Sequence, residues 1–254
     1  LPVALATPSL FSLYELPPRL NSALVMGISQ SGQSPDIISV VKEGREQGAL
    51  TLAITNAPRS PLAEMAELVV DIGAGTEMAV AATKTYTAQL LTIALLSVAM
   101  QRDIEQLAVL RQLPEWISEA LNLGSEIARA AQRYRYMEQC VVLGRGFNYA
   151  TAFEWALKIK ELTYSVAQPY SSADFQHGPV AVVARGFPVF AVVPSGAVFD
   201  DVLGLLKRLK EKHQVELFII SDQSAALDLA DTALPLPQDV PEWLSPIVSI
   251  VPAQ

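Results

Sequence analysis

The sequence predicts an α/β fold built from one unit used twice. Three observations carry that prediction. Strand-like apolar runs alternate with longer amphipathic stretches, which is the pattern of parallel sheets covered by helices. The series Ser22–Ile28, Pro35–Gln47, Ala49–Thr55 matches the later series Phe187–Val193, Phe199–Lys212, Val215–Ser221 in order and spacing. Hydrophobic residues make up 51% and charged residues 17% of the 254, which supplies large cores and gives no sign of disorder.

Ser22–Ile28 and Ala49–Thr55 read as strands, with Pro35–Gln47 the helix between them. The corresponding strands of the second copy are Phe187–Val193 and Val215–Ser221, around the helix Phe199–Lys212. Ser31-Gly32 matches Ser195-Gly196, Ile54-Thr55-Asn56 matches Ile220-Ser221-Asp222, and Phe11 matches Phe175. The offset is about 165 residues throughout, the mark of an internal duplication. The second copy opens with a strand at Cys140–Leu143, then Gly144-Arg145-Gly146 and a helix over Phe147–Tyr164. Ser165–Pro169 and Val180–Val183 read as further strands. At this offset the counterpart of Cys140–Leu143 falls before Leu1, and the counterpart of Glu77–Leu91 starts near Glu242. The expectation is therefore a first subdomain over 1–105 without its first strand and helix. A helical connection follows over 106–138, then a second subdomain over 139–254 without its helix end and tail. In the connection, Leu107, Leu110, Leu113 and Ile117 recur at helical spacing, and Pro114 starts a new helix.

The net charge of -8 argues against a nucleic-acid partner, which needs a basic footprint. The lone cysteine, Cys140, lies in an apolar run and reads as a buried strand thiol. One cysteine allows no internal disulfide, and with no basic-then-apolar leader the reading is cytoplasmic. The apolar stretch Leu90–Met100 is interrupted by Thr92 and Ser97. It is too short to span a bilayer and reads as a buried helix, so no membrane partner is expected.

Ser29-Gln30-Ser31-Gly32-Gln33-Ser34-Pro35-Asp36 follows a strand and opens a helix. Pro35 suits the first helical turn. Free backbone N–H groups and the helix dipole favour an anion there, and the serine hydroxyls add donors. The plainer reading is a polar turn with a helix cap. A nucleotide P-loop is excluded by the missing Gly-Lys-Ser/Thr ending.

Glu154, Lys158 and Glu161 share one helix face by their i, i+4, i+7 spacing. By spacing alone a solvated ion-pair stripe is the favoured reading over a functional acid face. His177 lies in the turn-rich Phe175-Gln176-His177-Gly178-Pro179, and His213 closes a charged helix. The Gly144-Arg145-Gly146 turn has no acidic residue closing the next strand, which argues against a dinucleotide. No spacing fits a metal, so neither metal nor cofactor is expected.

Taken as a set, these motifs resemble the sugar isomerase (SIS) domain family, and in particular the isomerase half of glucosamine-6-phosphate synthases. Ser29–Asp36 is similar to the family's Ser-x-Ser-Gly-x-Ser/Thr-x-Asp signature. Gly75-Thr76-Glu77 with Ala81-Ala82-Thr83-Lys84, Leu143–Gly146, Ala156–Glu161 and His177-Gly178-Pro179 extend the resemblance along the chain in the same order. It implies two tandem SIS subdomains, each a flavodoxin-like three-layer sandwich. It also implies a phosphorylated sugar as ligand, bound by Ser29, Gln30, Ser31, Ser34, Val80, Ala82 and Lys158. Glu161 would move the proton between C1 and C2, and His177 would open the sugar ring. A homodimer with shared sites is implied, His177 reaching the neighbouring chain's site. Three departures stand out. The synthase's glutaminase half and its cysteine nucleophile are absent, and Cys140 cannot replace them. The sequence ends before the tail lysine. Ala82 replaces a sugar-contacting serine, while Ser34 mildly replaces threonine. Two readings stay open: an enzyme that isomerises a hexose or hexosamine 6-phosphate, with amino transfer or deamination among its variants, and a non-catalytic phosphosugar sensor.

Overall fold

A computed structural model describes residues 2–79 and 81–254. The chain divides into two compact units at Ser97/Val98.

The first unit holds α1 (Ser9–Ser12), β1 (Leu24–Ser29), α2 (Pro35–Glu46), β2 (Leu50–Thr55), α3 (Pro61–Met65), β3 (Leu68–Asp71) and most of α4 (Lys84–Gln101). Its sheet has the order β1-β2-β3, all parallel, with Leu24 opposite Leu50 and Leu52 opposite Leu68. The core forms where β1 and β2 meet α2 and α3. Val25, Val40, Val41, Ala53 and Leu62 are buried there, and Phe11 and Ile37 pack against them. The stretch read as a buried helix is helical but only partly buried. Ala94 and Val98 are buried, whereas Ile93, Leu95 and Met100 are exposed. A helix apolar on all sides still buries only the stripe that meets a neighbour.

The second unit begins with α5 (Ile104–Leu110), α6 (Leu113–Leu121) and α7 (Gly124–Tyr134). Asp103 caps α5 by accepting from Gln106 N at 3.0 Å, and Pro114 lies in the first turn of α6. Next come β4 (Gln139–Gly144), α8 (Asn148–Thr163), β5 (Val166–Ser171), α9 (Ser172–Phe175), β6 (Pro188–Val192), α10 (Phe199–His213), β7 (Glu216–Ser221), α11 (Ser224–Leu227), β8 (Thr232–Pro235) and α12 (Ser245–Ala253). The five parallel strands run β5-β4-β6-β7-β8.

Period-two alternation builds three layers here. Val141, Leu143, Val189, Ala191, Leu217 and Ile219 point to one core with Val202, Leu205, Leu206 and Leu209 of α10. Phe190 and Phe218 point the other way and stack with Trp155 of α8 and Tyr134 of α7, with ring centroids 4.9–5.6 Å apart. Cys140 is buried in β4, and burial pushes its thiol up to about 12, as expected of an inert strand cysteine.

One strand expectation fails. Val180–Val183 is not extended: Pro179–Val182 forms a 3-10 turn, with Ala181 N donating to Gly178 O and Val183 N to Val180 O. Pro179 has no N–H for a ladder, so the segment packs Val180 and Val183 against the core without joining the sheet and leaves Val182 exposed. Among the described residues, no helix is long and apolar enough to cross a membrane.

Candidate functional site

In the first unit β1 delivers Ser29 to its carboxyl end, and the chain turns through 30–34 into α2. Gly32 makes the turn possible. It has φ +62, and a Cβ there would lie 2.0 Å from Ser60 Oγ, so only glycine fits. Ser29 Oγ accepts from Gly32 N at 3.1 Å, and Ser31 Oγ accepts from Gln33 N at 3.4 Å. Both hydroxyls keep their hydrogen to donate. Ser34 occupies the N-cap position of α2, yet its hydroxyl makes no capping bond. The plain reading of this serine as a helix cap therefore does not hold. Asp36, in the first turn of α2, accepts from Ser12 Oγ at 2.8 Å.

The loop is braced from β2. Thr55 Oγ1 and Asn56 N both donate to Gln30 O, at 3.2 and 3.1 Å. Asn56 also holds the facing loop, donating to Gly75 O at 2.7 Å and accepting from Ala74 N at 3.0 Å. Gln30, Asn56, Asp71, Gly73, Gly75, Thr76 and Glu77 enclose an open cleft of about 490 Å³ at the carboxyl ends of the strands. This is where parallel α/β sheets take ligands. At the edge of the cleft, Glu77 also caps α4. It accepts from Thr85 N at 3.2 Å, Thr85 Oγ1 at 3.0 Å and Thr83 N at 3.3 Å. Burial pushes its carboxyl up, but these hydrogen bonds and the Lys84 charge outweigh that and leave it below the ordinary range. Ala82 is half-buried just before this helix. Val80 lies outside the described residues.

In the second unit α8 carries the acidic face. Lys158 is buried and sits between two carboxylates, 3.1 Å from Glu154 Oε1 and 3.3 Å from Glu161 Oε2. Exposure separates the two acids, since the Glu154 side chain is 10% exposed and that of Glu161 37%. Burial raises the Glu154 carboxyl above its ordinary value, and Lys158 offsets this only in part. The stripe is thus a buried lysine bridging an inner and an outer acid, not the solvated surface stripe that spacing alone allowed. His177 is exposed on the turn after α9, its N–H donating to Asp174 O at 3.1 Å.

Some polar clusters were not legible from motifs. Arg145 donates to Asp201 Oδ2 at 2.6 Å and Ser172 Oγ to the same oxygen at 2.9 Å. Asn148 at the head of α8 donates to Ser245 Oγ at 2.6 Å and accepts from Thr151 Oγ1 at 3.0 Å. Asn56 had a signal in its matched place after a strand, but its two-sided clamp depends on a loop far along the chain.

Comparison with known proteins agrees with this architecture. The SIS domain family matches residues 15–99 and 135–254. The glutamine–fructose-6-phosphate aminotransferase (isomerizing) of Gloeobacter violaceus is 36% identical over 250 residues, covering 94% of this chain and 41% of that protein. The Pyrococcus horikoshii protein of the same name is 34% identical over 241 residues, covering 92% of this chain and 40% of its own length. The chain therefore spans about two fifths of these relatives. Among solved structures, a protein assigned as a phosphosugar isomerase from Silicibacter pomeroyi superposes with a TM-score of 0.85 at 32% identity, covering 100% of this chain and 75% of that one. The C-terminal domain of glucosamine-fructose-6-phosphate aminotransferase from Francisella tularensis gives 0.84 at 28% identity, covering 91% and 68%. With the duplicated parallel sheets and the serine loop already in place, these matches assign the chain to the SIS domain family, with the isomerase part of those aminotransferases among its relatives.

Proposed function

We propose that this chain is the isomerase part of an enzyme acting on a hexose or hexosamine 6-phosphate. The observation that carries this reading is the setting of Glu161. Its carboxylate is held 3.3 Å from a lysine that is 6% exposed, while the acid itself stays open to solvent. Binding alone needs no such arrangement. A base that must take and return one proton needs a fixed carboxylate with an open face. Lys158 fixes Glu161 and balances the buried charge of Glu154. The serine loop supports binding of the ester, with Ser29, Gln30, Ser31 and Ser34 offering donors at the start of α2. Val80, Ala82 and Lys158 complete the proposed sugar contacts, and Ala82 offers no hydroxyl. His177, exposed on its turn, serves as proton carrier for ring opening. In this mechanism Glu161 removes the C2 proton of the open aldose as O1 takes up a proton to give the enediol, exchanges its proton in part with solvent through its open face, and delivers a proton to C1 as the O2 hydrogen leaves to give the ketose.

A panel of hexose and hexosamine 6-phosphates incubated in deuterium oxide tests the reading. Wild type should place deuterium at the exchanging carbon of one of them. Glu161→Gln should bind that ester unchanged and slow exchange by about 10²–10⁴. Tight binding with no exchange across the whole panel would leave a phosphosugar sensor instead.

A further inference from the structure

The two copies use the same acid in opposite ways. Glu242 stands about 165 residues after Glu77, at the repeat's offset. Glu77 lines the first copy's cleft but spends its carboxylate on capping α4. Glu242 turns towards the second loop, where its Oε2 accepts from Ala197 N at 3.0 Å, just before α10. Gly196 there has φ +143, and a Cβ on it would lie 2.3 Å from Glu242 Cδ. The carboxylate therefore rests directly on the loop backbone. Behind it, Asp222, which replaces Asn56, accepts from Ser195 N at 2.7 Å and from Ser195 Oγ at 2.6 Å. Both donors of that serine are consumed. The strand-end crevice beside it, lined by Pro194, Asp222, Leu236, Val240, Ser245 and Ser249, has no room for a water molecule (≈ 0 Å³), whereas the first copy's cleft is about 490 Å³.

We propose that Glu242 is an internal ligand of the second copy. Its carboxylate takes the place of an external anion at the loop 195–198 and shuts that loop to phosphate. The same residue fastens the approach to α12, because Glu242 O accepts from Ser245 Oγ at 2.7 Å and that oxygen accepts from Asn148 of α8 at 2.6 Å. The duplicated fold thus keeps one loop open for a ligand and turns the other into a latch.

Chemical rescue tests this, with Ser31→Ala as the background so that the first loop contributes little phosphate response. Glu242→Ala in that background should lower the melting temperature by about 2–4 °C. Inorganic phosphate or acetate, at ionic strength held constant with sodium chloride, should restore it saturably. The Ser31→Ala parent should show no such response. Equal melting temperatures, or a loss with no more anion response than the parent, would overturn the latch. If the alanine variant does not fold, Glu242→Gln decides. It keeps an acceptor for Ala197 but loses the charge, so its melting temperature should fall at low salt and converge on the parent at high salt. No difference at low salt overturns the proposal. The comparison of wild type with Ser31→Ala reads the first loop separately, so the two ideas can fail independently.

Discussion

Ser31 shows what a single residue contributes at the first loop. Its oxygen accepts from Gln33 N at 3.4 Å, a weak bond that contributes little to the fold. Its hydrogen is left for an incoming oxygen. A hydrogen bond to a charged group is worth about 1.5–3 kcal/mol. Ser31→Ala should therefore weaken a sugar 6-phosphate by about 10- to 150-fold and leave the unphosphorylated sugar almost unchanged. Titration calorimetry with fructose 6-phosphate beside fructose measures this, and equal ester affinities would remove the loop from the site. At Lys158 the magnitudes run the other way. Removing one partner of a buried ion pair costs about 3–5 kcal/mol, so substitutions there disturb folding and chemistry together. Glu161, at the open end of the same trio, is the cleaner probe.

Among the elements, α8 holds the clearest conflict between local preference and tertiary need. It ends at Tyr164, which adopts φ +60 and is 90% exposed. A left-handed aromatic residue is strained there, while glycine is at ease. Tyr164→Gly should therefore raise stability by about 0.5–1 kcal/mol in denaturant unfolding with an unchanged m-value. A loss would mean that the ring packs against a partner in solution. Short edge strands show the opposite case. β3 and β8 are four residues each, and Leu68 and Val69 remain exposed in β3. Their existence depends on pairing with β2 and β7, which no local pattern announces.

At the scale of the molecule, charge sets the response to acid. Asp231 feels burial first, which raises its carboxyl, but Lys210 and the Leu217 N–H outweigh it and hold it below the ordinary range. Glu77 behaves alike. A lowered carboxyl stabilises the fold above its unfolded pKa of about 4, and that contribution is lost as pH falls through the lowered value. Glu154 is raised, so its contribution has the opposite sign and is lost as pH rises through the raised value. The lowered pair should dominate. Melting temperature should fall as pH drops from about 5 towards 2, and fall less in Asp231→Asn. Assembly is the second prediction at this scale. Phe147, Phe153, Leu162 and Tyr164 leave large apolar area exposed on and beside α8, which suits an interface. We expect a homodimer, so sedimentation velocity should show about twice the chain mass. A fully active monomer would overturn it.

The sequence by itself determined the duplication, the order of the long strands and helices, the serine loop at the start of α2, and the shared face of Glu154, Lys158 and Glu161. These are local properties: a period of two or 3.6, a proline in a first helical turn, a spacing of four. Tertiary structure decided which acid on that face is inner and which is open, since burial comes from distant packing. It turned Val180–Val183 from an expected strand into a 3-10 turn after Pro179, because no neighbouring strand pairs there. It gave Asn56 its grip on Gly75, 19 residues away. It also separated Glu77 from Glu242. The two hold the same place in the repeat, but one caps the helix that follows it. The other reaches back 45 residues to Ala197, a choice made by which unpaired N–H groups the folded chain brings within reach.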